Sequence, residues 1–198
     1  DVERSRGLGD VYKRQDMEGK IEMILDGGPV GIGVESTIVD VSVTPPMILR
    51  PGAITKEMME PFVGEVTVDP AILQKPKEGL RPKAPGMKYR HYAPKAPVTV
   101  VAGPPERTAE HIARSLTPGD GVICFDEFAG EFPGCQIQRM GPAGDKSAQA
   151  RHIFDALRAF DHTEVPRIWA QCPDPSGLGL AINNRLNKAA GFHIVEVK

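Results

Sequence analysis

Residues 98–125 read VTVVAGPPERTAEHIARSLTPGDGVICF, and this stretch decides the fold class. Val98–Ala102 is a continuous apolar run of strand length. Glu106–Leu116 follows with its alanine, isoleucine and leucine side chains on one helical face. The turn Pro118–Gly121 leads into a second apolar strand, Val122–Phe125. A strand, a helix and a strand in this order predict a βαβ unit with parallel strands.

The alternation continues to the C-terminus. Two further amphipathic helices are predicted over 147–160 and 179–190. Three more short strands are predicted, over 136–140, 167–171 and 194–197. Residues 98–198 are therefore expected to form an α/β domain with a mostly parallel sheet.

The segment before this domain has an unusual composition. Ala84–Pro94 reads APGMKYRHYAP and lies in a proline-rich stretch, residues 71–97, which predicts an extended connector. Lysine, tyrosine, arginine and histidine occupy Lys88–Tyr92. Cations and rings of this kind hold phosphates and stack on bases. A solvated linker whose tyrosines pack on a neighbouring domain explains the composition equally well.

The N-terminal part indicates an incomplete domain. Residues 1–15 are highly charged and lack apolar periodicity, so we treat them as a tail foreign to the fold. Strands are predicted over Ser36–Val43 and Met47–Leu49, and a short helix over Thr55–Phe62. Residues 16–70 therefore have the pattern of the β-rich end of an α+β domain. Because such strands lack neighbours, we expect this remnant to be poorly ordered while 98–198 folds independently.

Composition excludes several classes of protein. The 198 residues carry a net charge of −2, so nothing global favours nucleic-acid binding. The chain contains no apolar run of the ~20 residues that a membrane span needs. Three cysteines, Cys124, Cys135 and Cys172, have no zinc-ligand spacing and are expected to be free thiols. A reducing cytoplasm fits this cysteine usage.

Three segments carry side chains suited to anions. Ser36-Thr37 follows a glycine-rich approach, and its hydroxyls could bond a carboxylate or phosphate, or only the local backbone. Arg50 ends a strand, where it could fork onto phosphate or form a surface ion pair. Pro175–Leu180 is a glycine-rich loop before a helix, which could cradle an anion or serve close strand–helix packing.

Together these pieces resemble the long, two-domain form of threonylcarbamoyl-AMP synthase. The resemblance spans about residues 16–198 and rests on four ordered stretches: Gly33–Asp40 (GVESTIVD), Ile48–Ile54 (ILRPGAI), Ala84–Pro94 and Gly177–Ala190. It implies the end of a YrdC-like catalytic domain over 16–70, an interdomain linker over 71–97, and a three-layer, Rossmann-like domain over 98–198.

The resemblance also implies a reaction and its partners. The family joins L-threonine, bicarbonate and ATP, with Mg²⁺ accompanying the ATP, into threonylcarbamoyl-adenylate and pyrophosphate. The product passes to a transferase that makes N6-threonylcarbamoyladenosine in tRNA. In this chain the resemblance assigns L-threonine to Ser36 and Thr37. It assigns ATP to Arg50 and to four linker residues that would close over the cleft as a lid: Tyr89, Arg90, His91 and Tyr92.

The chain also departs from the family pattern. Compared with the family, we expect roughly 130 or more residues of catalytic domain to be absent from this chain, including a basic Lys/Arg segment and a Ser-x-Asn stretch, and no catalytic residue is assigned. We therefore expect that this chain does not form the adenylate alone. The alternative hypothesis is a stand-alone Rossmann-like module that senses a nucleotide or docks a partner.

Overall fold

A computed structural model of the chain describes residues 17, 19–23, 25, 31–74 and 93–198. The predictions for the N-terminal tail and for most of the connector fall outside these residues. None of the helices in the described part of the chain is long and apolar enough to cross a membrane.

Residues 31–74 form a small three-stranded sheet with two helices. The strands are β1 (Ile38–Asp40), β2 (Met47–Arg50) and β3 (Thr67–Val68), in the order β1-β2-β3. β1 runs antiparallel to β2, and β3 runs parallel to it. The helices are α1 (Lys56–Val63) and α2 (Pro70–Leu73).

The first strand is shorter than predicted. The expected strand Ser36–Val43 is β-paired only over β1, because the Asp40 carboxylate accepts a hydrogen bond from the Ser42 backbone N–H at 2.9 Å and turns the chain. Val41 beyond that point is exposed. The helix near Thr55 forms as predicted, although the Thr55 side chain makes no capping hydrogen bond to the backbone.

Residues 93–198 form the α/β domain predicted from the alternating pattern. Five strands lie in the order β6-β5-β7-β4-β8, and every neighbouring pair is parallel. The strands are β4 (Val98–Ala102), β5 (Gly121–Cys124), β6 (Gln136–Arg139), β7 (Ile168–Cys172) and β8 (Ile194–Glu196). The helices are α3 (Pro105–Ser115), α4 (Lys146–Arg158) and α5 (Leu178–Ala189), with 3₁₀ turns at Asp126–Glu131 and Ala159–His162.

Helices cover both faces of this sheet, which confirms the three-layer arrangement. On one face α4 and α5 bury the larger core, to which Phe154 and Leu186 belong. On the other face α3 and the first 3₁₀ turn bury a second cluster containing Ile112 and Phe132. Both faces of a parallel sheet are normally buried in this way, which explains the continuous apolar runs of its strands.

The small sheet packs against α4 and α5 of the larger domain. Val34 is part of the larger core. A Cβ on Gly33 would lie 2.0 Å from the Ala150 carbonyl oxygen, so only glycine permits this approach. The Asn184 side chain of α5 donates a hydrogen bond to the Ile72 carbonyl at 3.0 Å. Residues 31–74 are therefore attached through apolar and polar contacts.

Candidate functional site

Pairing of β1 with β2 brings the predicted residues Ser36 and Arg50 together. Ile38 lies opposite Arg50 in the register, and the Arg50 Nε donates a hydrogen bond to the Ser36 carbonyl at 3.0 Å. The turn after β2 approaches closely, since a Cβ on Gly52 would lie 2.2 Å from the Glu35 carbonyl oxygen. The glycine of the Arg-Pro-Gly turn thus allows two strand ends to form one edge of a site.

A cavity of about 710 Å³ opens beside this edge. Its walls are mostly apolar and include both predicted hydroxyl residues; the lining residues are Gly31, Ile32, Val34, Ser36, Thr37, Val39, Ala53, Ile54 and Met59. An apolar concavity with few polar groups is typical of a small-molecule site. This volume accommodates a ligand larger than a single amino acid.

The two hydroxyls are in different situations. Thr37 Oγ1 donates to the Ile54 carbonyl at 2.7 Å and accepts from the Ile54 N–H at 3.1 Å. The Thr37 hydroxyl therefore joins the strand to the Arg-Pro-Gly turn. Ser36 is exposed, and its hydroxyl has no hydrogen-bond partner among the described residues. Ser36 is thus the better placed of the two to bond a ligand.

Two further cationic side chains, Lys188 and Arg185, lie close enough to Arg50 to share its electrostatic environment. Half-buried Lys188 of α5 has its pKa lowered to about 8 by burial and by the charge of Arg185, with Arg50 adding a smaller repulsion. Glu35 opposes this shift by stabilising the charged ammonium. Three cations and one carboxylate therefore lie around the end of β2, an arrangement that favours anions.

Sequence reasoning missed Arg185. Its side chain is 3% exposed, and its guanidinium donates to the Glu35 carboxylate through Nε at 2.8 Å and through Nη2. Its Nη1 donates to the Pro51 carbonyl at 2.7 Å. One signal in the sequence could have found it, because Arg185 lies three residues after Ile182 and four before Ala189, in the apolar stripe of α5.

The glycine-rich loop before α5 is held by the protein's own groups. The Gly177 N–H donates to the Glu57 carboxylate of α1 at 3.1 Å, and Lys146 donates to Asp174 at 2.8 Å. A Cβ on Gly179 would lie 1.8 Å from the Asp174 carbonyl oxygen. Gly179 therefore serves close packing, and the Glu57 carboxylate from α1 takes the place of an external anion at Gly177.

The remaining sequence candidates divide into two groups. The linker residues Tyr89, Arg90, His91 and Tyr92 lie outside the described residues, so their assignment to ATP stays a prediction. The three cysteines are free, and burial raises the pKa of the Cys124 and Cys172 thiols to about 12, which makes them poor nucleophiles. Within the described ranges no group of three acidic, histidine or cysteine side chains could hold a metal ion.

Comparison with protein families identifies related sequences. A family model described as "Threonylcarbamoyl-AMP synthase, C-terminal domain" matches residues 54–191. The threonylcarbamoyl-AMP synthase of Bacillus subtilis is 40% identical over 183 residues, which are 91% of this chain and 52% of that protein. The Pyrococcus abyssi protein of the same name is 42% identical over 187 residues, 92% of this chain and 53% of that protein.

Two solved structures share the fold. The crystal structure of P. abyssi Sua5 complexed with L-threonine has a TM-score of 0.75 at 38% identity. The match covers 93% of this chain and 54% of the P. abyssi chain. A variant of P. abyssi Sua5 with an adjacent histidine and tyrosine changed to alanine has a TM-score of 0.82 at 39% identity, covering 93% and 53%. This chain spans about half the length of the curated relatives it matches. The chain therefore belongs to the threonylcarbamoyl-AMP synthase family.

Proposed function

We propose that this chain carries one part of the active site of a threonylcarbamoyl-AMP synthase. In the reaction the threonine amine bonds to the carbon of bicarbonate with loss of water. The resulting carbamate oxygen then displaces pyrophosphate from the α-phosphorus of ATP, and Mg²⁺ accompanies the ATP. The observation that carries the proposal is the joining of the Ser36 backbone to Arg50 at the edge of an apolar cavity, in a chain of this family.

Ser36 is proposed to hold L-threonine. Its hydroxyl can donate to the substrate carboxylate, and the apolar walls at Val39 and Met59 suit the substrate methyl group. A relative has been solved in complex with L-threonine, which supports this choice of ligand. Thr37 would act indirectly, by fixing the Ile54 turn that forms part of the wall.

Arg50 is proposed to bind phosphate oxygens of ATP. Its Nε is engaged with Ser36, which orients the guanidinium and leaves its Nη groups to form charge-assisted hydrogen bonds. The linker residues are proposed to close the site and exclude water from the mixed anhydride. His91-Tyr92 is the only His–Tyr pair in the sequence, and a solved relative was altered at such a pair, so these two are the first linker residues to test.

Calorimetric titration of L-threonine into the 198-residue chain tests the substrate assignment. We expect heat of binding that Ser36→Ala reduces at least about tenfold in affinity, the size of a lost charge-assisted hydrogen bond. Ser42→Ala is the matched control, since Ser42 is an exposed serine whose hydroxyl donates to the Asp40 carboxylate two residues earlier. No heat at millimolar L-threonine, or equal losses in the two variants, would remove the threonine site from this chain.

Pyrophosphate release tests the division of the active site. With threonine, bicarbonate and Mg-ATP, we expect background release from this chain alone. Fusion to the unmatched half of the P. abyssi relative is expected to give release that Arg50→Ala lowers at least about tenfold, with the intact relative as the positive control. Release by the unfused chain would overturn the proposed division.

A stand-alone nucleotide sensor or docking module is the second candidate. Open α/β sheets bind nucleotides beyond the carboxyl ends of their strands. Here the Gln171 side chain crosses that edge, accepting from the Phe125 N–H at 2.9 Å and donating to Thr108 and to the Pro105 carbonyl. These contacts, with Glu57 on Gly177, disfavour the sensor. ATP binding that survives Arg50→Ala would favour it.

A further inference from the structure

We propose that Arg185 is a positioning residue that sets the geometry between Ser36 and Arg50. It lies on α5, in the five-stranded domain, whereas the candidate site lies on the three-stranded sheet. The inference rests on the proposed function only for its consequence for substrate binding. The claim that Arg185 holds Ser36 and Arg50 in place depends only on contacts within this chain.

The contacts of Arg185 fall on the two residues that flank the site. Glu35 comes directly before Ser36, and its carboxylate accepts from Nε and Nη2 of Arg185. Pro51 comes directly after Arg50, and its carbonyl accepts from Nη1. One planar guanidinium therefore joins the start of one strand segment to the end of the other. Arginine suits this task because its donors are held in a rigid fork.

The bond between Arg50 and Ser36 lies between these two anchor points. The Arg50 Nε reaches the Ser36 carbonyl at 3.0 Å, so a rotation of the backbone at Glu35 or Pro51 changes that distance directly. Arg185 is not among the residues that line the cavity, so it acts through its neighbours.

Burial makes Arg185 important for stability as well as for position. Its side chain is almost completely enclosed, and Nη1 also lies 3.3 Å from the Ala181 carbonyl in its own helix. Removing one member of a buried ion pair leaves an uncompensated charge, so loss of stability by itself proves no positioning role. The test needs a measurement at Arg50 and a control arginine of the same kind.

Arg167 provides that control. It donates through Nε to the buried Asp120 carboxylate at 2.9 Å and through Nη2 to the Ser115 carbonyl at 3.0 Å, the same pairing of a carboxylate and a backbone oxygen. Its contacts are all within the five-stranded domain. Its side chain is 38% exposed, against 3% for Arg185, so Arg167→Met controls for the loss of this pairing of partners, without touching Glu35 or Pro51, rather than for burial.

The experiment measures hydrogen exchange of the Arg50 Nε–H by NMR in the full 198-residue chain, without ligand. We expect Arg185→Met to accelerate this exchange at least about tenfold, Arg185→Lys to give an intermediate value, and Arg167→Met to stay within about twofold of the parent. Unchanged exchange in Arg185→Met, or equal acceleration in Arg167→Met, would overturn the proposal. Should Arg185→Met fail to fold, Glu35→Gln replaces it, with a several-fold acceleration expected and no acceleration counting against the proposal.

Threonine binding measured on the same variants separates this inference from the proposed function. We expect Arg185→Met to weaken L-threonine binding about tenfold and Arg185→Lys to restore part of the loss. A parent chain that binds no threonine refutes the proposed function, while the exchange at Arg50 still decides the positioning role. Normal threonine binding in a folded Arg185→Met chain would overturn the claim that this geometry controls substrate binding, with the proposed function intact.

Discussion

The two sheets of this chain differ in how they obtain a core. The five-stranded sheet of residues 93–198 is covered by helices on both faces and encloses large side chains such as Phe160 and Leu157 completely. The three-stranded sheet of residues 31–74 encloses little. Its helix α1 buries no residue, and Phe62 on that helix is 88% exposed.

This difference shows what holds the smaller sheet in place. Its order depends on α4 and α5, through Val34 in the shared core, the close approach at Gly33, and the polar links from Asn184 and Arg185. The sequence pattern alone predicts a poorly ordered remnant because these links are invisible in it. With the links in view, we expect the small sheet to be ordered whenever α5 is folded, and to unfold with it.

Leu157→Ala is expected to have the largest effect among the tests of whether the small sheet depends on the five-stranded domain. Leu157 is fully buried in the core formed with α4 and α5, so its truncation should cost about 2–5 kcal/mol of unfolding free energy. Because the small sheet rests on these helices, amide protection should fall in both regions, as measured by hydrogen exchange and urea unfolding. Full protection of 31–74 in a destabilised domain would break the dependence.

Leu49→Ala is its counterpart in the smaller sheet. Leu49 belongs to a separate cluster in residues 31–74. We therefore expect amide protection to fall in 31–74 and to stay unchanged in the five-stranded domain. Equal loss in both regions would show that the dependence is mutual.

Gly33→Val tests the contact surface and should have the next largest effect. Its Cβ would lie 2.2 Å from the Arg151 Cα as well as against the Ala150 carbonyl oxygen, and backbone there cannot move aside. We expect a loss of about 1–3 kcal/mol, with protection reduced chiefly in 31–74. Gly31→Val is the control, because a Cβ on Gly31 meets no atom within 4 Å. Similar losses of stability in both variants would argue against close packing of Gly33 on α4.

The sequence predicted the larger domain well and the attachment of the smaller one poorly. Apolar runs and helical stripes in residues 98–198 are local signals, and the observed strands and helices match them within a few residues, apart from the 3₁₀ turn at Asp126–Glu131. Ser36 and Arg50 could be proposed from the sequence because a ligand-suited side chain at a strand end is also a local signal. Arg185 was missed because its partners are 134 and 150 positions away.

Lys188 of α5 offers a smaller, pH-dependent test of the contact between α5 and the small sheet. Burial, then repulsion by Arg185, lowers its folded pKa from 10.5 to about 8, so the unfolded chain binds more protons between these values. Stability should therefore rise as the pH increases from about 8 to about 10.5, by no more than about 1–2 kcal/mol after solvent screening. Lys188→Met should abolish this rise in urea midpoints. A rise that persists in the variant would assign it to another group.

The smallest expected effect concerns the loop before α5. Burial alone would raise the pKa of Asp174, but hydrogen bonds from Lys146 and Ser176 outweigh it and lower the value from 3.8 to about 2. Stability from this carboxylate is present above pH 4 and is lost as the pH falls toward 2. The Asp174 side chain is 64% exposed, so we expect less than about 1 kcal/mol. Asp174→Asn should flatten the dependence of the urea midpoint between pH 2 and 5.

Lys146→Met separates the ion pair from the loop itself. If the Lys146–Asp174 pair is the source of the acid dependence, adding Lys146→Met to Asp174→Asn should change the midpoint little further, since the two residues share one interaction. Additive losses would instead assign Lys146 a role through Ser176, whose hydroxyl and carbonyl it also contacts at 2.7 and 3.0 Å. In that case Lys146 holds the loop through Ser176 as well as through Asp174, next to the Gly177 N–H that donates to Glu57, and this second link between the two regions does not involve Arg185.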